Sequence, residues 1–224
     1  LTNALKIQTM HGTLSGKIPG VSYKKSAISV NGELSFNIFD GIVVAKKLRL
    51  IDPLGFAPHL KGDLAMRDLD LDLLTRTFSF GNMQGRIDME MKGVELSSWR
   101  PIKFDAHLYS SSGSYPRRIS QAAIQNISAL GGAGAVAAIQ RSFLHFFDEF
   151  SYSKIGWRCA LQDNICRMGG IELDDQASEL QGYSIIESGG IPAITVMGYN
   201  RDVSWYELIN RLKRVTEGGS PIIQ

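Results

Sequence analysis

Apolar and polar residues alternate strictly through the first half of the chain. Leu34, Phe36, Ile38, Ile42, Val44, Leu48 and Leu50 occupy even positions, and most residues between them are polar or small. The pattern moves to odd positions at Leu69, Leu71 and Leu73, set against Asp68, Asp70 and Asp72. It stays odd at Ile87, Met89 and Met91, set against Asp88, Glu90 and Lys92. It is even again at Ile102, Phe104, Ala106 and Leu108. A period of two gives strands with one apolar and one wet face. A succession of them gives an antiparallel sheet that is apolar on one side.

Turn chemistry divides these strands. Asp40-Gly41 between alternating runs signals a hairpin. A three-residue loop, Phe39-Asp40-Gly41, would keep Ile38 and Ile42 on one face, with Gly41 in a left-handed conformation. Residues 4–30 read as two or three weak strands, with turns at His11-Gly12 and Ile18-Pro19-Gly20. Asp52-Pro53-Leu54-Gly55 closes a strand, because proline cannot donate to a ladder. Further strands are expected at 60–73, 77–81, 84–92 and 101–109.

Helical periodicity begins at Ser120, a good N-cap, and Gln121 to Leu130 form the helix. Gly131-Gly132-Ala133-Gly134 breaks it, and a second helix is expected from Ala135 to Phe147, with Ile139, Phe143, Phe146 and Phe147 on one stripe. Strands return at 150–160, 165–171, 182–187 and 192–198, before a capping-box start at Ser204-Trp205-Tyr206-Glu207 opens a last helix. Trp205, Leu208 and Leu212 lie on one side of it.

The fold expected is therefore β-rich α+β. A long curved antiparallel sheet, groove-like or taco-like, carries a helical insert and a C-terminal helix. The organisation is a single domain over 1–224. It comprises an antiparallel sheet (1–110), a helical insert (117–148), returning strands with a cysteine hairpin (149–200) and a helix (203–216).

An area estimate sharpens this picture. About eight or nine strands ~4.8 Å apart and ~25 Å long present a face of roughly 1,000 Å². Three helices of about 12 residues cover roughly 180 Å² each. About half the face is left over, so the sheet must curl, pack on a second sheet, or offer the face to something apolar. Two occupancies satisfy the pattern. One is a groove lined by Phe36, Ile38, Val44, Leu48, Leu69, Leu71, Met89, Met91, Phe104 and Leu108. The other is a closed core beneath the helices.

Composition narrows the partners. The 224 residues carry a net charge of +2, and no basic run exceeds two residues, so nothing recommends a nucleic acid. No apolar run reaches the ~18 residues that span a bilayer. The chain begins at Leu1 without a signal peptide and reads as a fragment of something longer.

Cys159 and Cys166 flank a turn at Asp163-Asn164. A hairpin there sets them opposite each other, within reach of a disulfide. Buried free thiols are the alternative, and a zinc site lacks further ligands. A disulfide implies an oxidising compartment, which in a bacterium is the periplasm.

Catalytic chemistry finds little footing, and we expect no enzyme, cofactor or metal. Gly132-Ala133-Gly134-Ala135-Val136-Ala137 follows a helix, whereas a dinucleotide fingerprint follows a strand. His11, His59, His107 and His145 share no ligand spacing. Asp68, Asp70 and Asp72 fit the solvent face of a strand as well as a calcium site. Asn126-Ile127-Ser128 is a formal glycosylation sequon inside a helix.

Several stretches together resemble a family. They are Leu64-Ala65-Met66-Arg67-Asp68-Leu69-Asp70-Leu71, Phe78-Ser79-Phe80-Gly81-Asn82-Met83-Gln84-Gly85-Arg86-Ile87 and Trp99-Arg100-Pro101. Ile119-Ser120-Gln121-Ala122-Ala123 running to Phe146-Phe147, the cysteine hairpin, and Gly198-Tyr199-Asn200-Arg201 with Trp205 complete the set. Over roughly residues 32–213 the chain is similar to the C-terminal region of YdbH-type AsmA-like proteins, sometimes labelled a dicarboxylate transport domain. The resemblance implies a periplasmic protein held in the inner membrane by an N-terminal anchor absent here. It implies a curved sheet that carries phospholipid toward the outer membrane, and a C-terminal end that engages a small outer-membrane lipoprotein. Two functions follow as expectations. One is the terminal segment of a lipid conduit. The other is a docking module that pairs its sheet edge with the lipoprotein and binds no lipid itself.

Overall fold

The computed structural model describes residues 20–131, 147–172, 182–191 and 194–216. Fourteen strands form one open, curved antiparallel system. In chain order they are β1 (Gly20–Lys24), β2 (Ala27–Asn31), β3 (Glu33–Ile38), β4 (Gly41–Ile51), β5 (His59–Asp70), β6 (Met83–Gln84) and β7 (Arg86–Ser97). Then come β8 (Arg100–Ser110), β9 (Arg118–Ser120), β10 (Glu149–Gln162), β11 (Ile165–Gly169), β12 (Tyr183–Ser188), β13 (Val196–Gly198) and β14 (Asp202–Ser204). Three helices accompany them: α1 (Leu71–Thr77), α2 (Gln121–Gly131) and α3 (Trp205–Thr216). The main sheet runs β1-β2-β4-β5-β7-β8-β10-β11-β14 and does not close into a barrel, and β3 pairs with β4 beside β2.

β10 belongs to two sheets. Gly156 to Leu161 pair with β8, while Glu149 to Ile155 pair with β9 and β12. The second sheet runs β6-β9-β10-β12-β13. At the crossover, a side chain on Gly156 would meet the Ile171 backbone at 2.6 Å, so only glycine lets the chain leaving β11 pass this close.

Tight hairpins join the strands. Lys25-Ser26, Phe39-Asp40, Ser98-Trp99 and Asp163-Asn164 all have positive φ at both residues, the type I′ pattern that matches strand twist. The loop at Asp40 is therefore one residue shorter than expected. Ile38 pairs with Gly41, which puts Val43 and Ala45 beside Phe36 and Leu34, and turns Ile42 and Val44 to the other face. Phe39 tolerates its left-handed backbone because its ring meets Phe78 edge-on at 6.2 Å and its carbonyl accepts from Asp70 N–H at 2.8 Å.

Parity changes along a strand come from β-bulges. Lys47, Asp68 and Gly93 have φ of 53°, 58° and 58°, and each sits at a break in register. A bulge inserts one residue and moves the apolar set to the other parity. β4 thus carries Val43 and Ala45 before its bulge, and Leu48 and Leu50 after it on the same face. Carboxylates satisfy the amides that the bulges free. Asp63 Oδ1 accepts from Gly93 N–H and Asp88 Oδ1 from Asp68 N–H, both at 2.8 Å.

The stretch expected as strand to residue 73, and then at 77–81, is different. β5 ends at Asp70, whose side chain accepts from Asp72 and Leu73 N–H and caps α1. Leu-Asp alternation imitates a strand up to the residue where an aspartate starts a helix instead. α2 begins as expected, with Ser120 Oγ accepting from Ala123 N–H at 3.2 Å. The helix expected at 135–147 lies almost wholly outside the described residues, as do Ile139, Phe143, Phe146 and most of the glycine break. Phe147 is described, and its ring lies 6.5 Å from that of Phe150.

Candidate functional site

Cross-strand partners share a face, so the ladder assigns each side chain to one side of the main sheet. One row on the apolar face runs Val43, Met66, Met89, Leu108 and Trp157 across β4, β5, β7, β8 and β10. The next runs Ala45, Leu64, Met91, Ala106, Cys159 and Met168. A third, beyond the bulges, runs Tyr23, Ile28, Leu50, Leu60, Leu96 and Pro101.

Of the ten residues expected to line a groove, eight are on this face. Phe36, Ile38, Leu48, Met89, Met91 and Leu108 are half-buried there, whereas Leu69 and Phe104 are enclosed in the core. Two are elsewhere. Val44 pairs with Ala65 on the opposite side, in line with Glu90 and His107, because the short hairpin loop reverses its parity. Leu71 is buried on α1, not on a strand. Sequence parity also missed Val43, Ala45, Leu64 and Trp157. The glycines at the bulges, Gly62 and Gly93, were the available signal.

The opposite face is a lattice of paired charges. Arg67 reaches Glu90 at 2.5 Å, Lys46 reaches Glu33 at 2.7 Å, and Lys61 reaches Glu95 at 3.0 Å. The Arg67 hydrogen bond holds Glu90 below the usual carboxylate range. At the strand ends Arg86 pairs with Asp40 and lies 3.5 Å from Asp68 and 3.9 Å from Asp70, which ties the acidic stripe to an arginine. Asp72 bridges to Arg76 on α1.

His59 contacts Glu95 at 3.2 Å, and His107 stacks beside Tyr109 with centroids 4.9 Å apart. Burial, with Arg158 adding to it, holds the His107 pKa below the imidazole range. His11 and His145 lie outside the described residues. Among the described residues, no group of three potential ligands could hold a metal. No helix among them is long and apolar enough to cross a membrane.

The cover lies at one end of the face. α2 sets Ala123 and Ile124 into the core with no exposed surface, and α3 sets Leu208 there. Trp205 meets Phe104 edge-on at 5.3 Å. Leu212, expected in the same row, is 37% exposed. The second sheet contributes Ile119, Phe150 and Ile186 to the same core.

Cys159 and Cys166 form a disulfide at this end, with Cα atoms 5.4 Å apart and both residues fully buried. They are not directly opposite. Cys159 faces Met168 and Cys166 faces Leu161, so the bond spans a diagonal of the hairpin. A two-residue loop fixes that register, and strand twist shortens this diagonal into disulfide range.

No family model, curated protein or solved structure matches the chain.

Proposed function

We propose that this chain is a segment of a lipid conduit, carrying phospholipid along the apolar face of its open sheet. One observation carries the reading: Leu64, Met66, Met89, Met91 and Leu108 form a continuous half-buried surface on a sheet that does not close. Acyl chains suit such a face, since each buried methylene contributes about 0.8 kcal/mol without polar recognition. Methionines adapt to chains of varying shape. The paired charges opposite keep the outer side in water.

The disulfide supports an oxidising compartment. The motifs that resemble those of YdbH-type proteins extend the proposal. The compartment is the periplasm, the transfer runs between inner and outer membranes, and an inner-membrane anchor and a small outer-membrane lipoprotein are partners.

Mass spectrometry of lipids retained by the purified chain tests the reading. Wild type is expected to retain phospholipid. Met89→Arg is expected to lose it while keeping the denaturation midpoint of wild type. An empty wild type, or a Met89→Arg protein that simply unfolds, overturns the groove.

A second reading rests on β1. It is an edge strand that pairs only with β2 among the described residues, and it exposes Val21 and Tyr23. Such an edge can accept a partner strand. A stable complex with a short lipoprotein and no retained lipid favours this reading.

A further inference from the structure

One rim of the main sheet is built from three hairpin ends held together by backbone hydrogen bonds. Asp52 N–H donates to Ser26 O at 2.8 Å, joining the β4–β5 loop to the β1–β2 turn. Ser98 N–H donates to Pro58 O at 2.9 Å, joining the same loop to the β7–β8 turn.

This rim gathers three large apolar side chains in solvent. Leu54 is 97% exposed, Phe56 is fully exposed, and Trp99 is 62% exposed. The largest apolar side chains of these two loops would ordinarily fold back on the sheet beneath them. Pro53 and Pro58 bracket the long loop and stiffen it. Ser98-Trp99 is a two-residue turn with φ of 48° and 63°, which fixes where the indole projects. The cations beside them, Lys24, Lys25 and Arg100, are exposed and form no ion pair among the described residues. The one acid in these loops, Asp52, has its carboxylate folded against Gly55.

We infer that this rim docks on an anionic lipid bilayer, with Leu54 and Phe56 as wedges, Trp99 at the interface, and Lys24, Lys25 and Arg100 on headgroup phosphates. The shape favours a bilayer over a protein. The apolar groups stand on loop tips, Leu54 and Phe56 almost wholly in solvent, and none of the three belongs to the free edge of β1. A bilayer accepts protruding tips without a complementary surface. Leucine and phenylalanine enter the acyl boundary, indole favours the interface, and lysine and arginine favour anionic headgroups. The inference stands on the rim alone and holds whether or not the sheet face carries lipid.

Vesicle flotation of the 224-residue chain tests it. Wild type is expected to float with phosphatidylethanolamine–phosphatidylglycerol vesicles, and to do so far less with phosphatidylcholine alone. Leu54→Ser with Phe56→Ser should weaken flotation at least about tenfold, given the area those side chains would bury. Their exposure means the melting temperature should not move. If it does, Trp99→Ser replaces the pair and should give a weaker loss in the same direction. Lys24→Glu with Lys25→Glu, or raised salt, should lower binding to the anionic vesicles only. Met89→Arg should float as wild type does, which separates the rim from the sheet face. Wild type that stays with the unbound protein, or a Leu54/Phe56 variant that floats equally well, overturns the proposal. So does a rim variant that loses a lipoprotein complex when wild type never bound vesicles.

Discussion

Phe150 and Phe36 both sit on strands of alternating pattern with one face turned inward. Phe150 is enclosed by the second sheet and Phe147, and only 1% of its surface meets solvent. Phe36 is half-buried beside Val43 at the other end of the main sheet. Their alternation does not separate them. The difference lies in what crosses above each. Near Phe150, β10 leaves the main sheet at Gly156 and pairs with β9 and β12, which turns a second apolar face over the first. α2 and α3 fill the remaining space. Over β3 and the middle of β4, β5 and β7 the cover is thinner, and Phe36, Leu64, Met66 and Met89 stay half-buried. A sheet can therefore be a closed core at one end and an open surface at the other with one repeating pattern.

The largest effect should come from emptying the closed end. Phe150→Ala is expected to cost about 3–5 kcal/mol, because transfer and cavity terms add where the site cannot collapse. Phe36→Ala should cost only about 1 kcal/mol, since much of its surface is already wet. Urea denaturation of the two variants measures both. Equal losses would mean the β3–β8 face is sealed too, and the groove would lose its basis.

Reducing the disulfide comes next. A loop this short should contribute roughly 2–3 kcal/mol through the unfolded chain, and the loss belongs to the closed end. Unfolding in the presence of dithiothreitol, followed by hydrogen exchange, separates local from global effects. The β10 and β11 amides should lose protection well before those of β4 and β5. Uniform loss across the sheet would show that the two ends unfold as one unit.

Much of the closed end was legible in the sequence, and the open end less so. Ser120 caps a helix, Ser204 immediately precedes another, and Asp163-Asn164 forms a turn, all where local chemistry places them. The hairpins at Lys25-Ser26 and Ser98-Trp99 carry no glycine, so nothing local announces two left-handed residues. Placing the Asp40 loop one residue too late reversed the face of Val44. Bulges at Asp68 and Gly93 break parity inside strands, and each freed amide meets a carboxylate on the neighbouring strand, which spacing along one strand does not reveal. Asp70 misled for a related reason: as an exposed strand residue and as a helix cap it reads the same until its hydrogen bonds are known.

The smallest effect should come from the carboxylate that caps the Gly93 bulge and pairs with the side chain of Lys47. Asp63 lies between Lys47, 2.7 Å away, and the Gly93 amide, at 2.8 Å. Both interactions favour its ionised form and hold its pKa below the ordinary aspartate range, the lysine hydrogen bond most strongly. The sign follows from that depression. The unfolded chain takes up the proton first, so the stabilisation is complete above the unfolded value. It drains away as pH falls through the lower folded value. Lys47 is exposed, so solvent screening limits the whole contribution to about 1 kcal/mol. Asp63→Asn keeps the shape and one acceptor but removes the charge. It should lower the denaturation midpoint slightly at pH 7, and flatten the part of the acid limb that Asp63 supplies. Hydrogen exchange at Gly93 gives the local readout. Faster exchange there, with β10 unchanged, would show that the bulge opens independently of the closed end. If Gly93 exchanges as in wild type, the curvature of the open face is set by strand twist and not by its carboxylate caps.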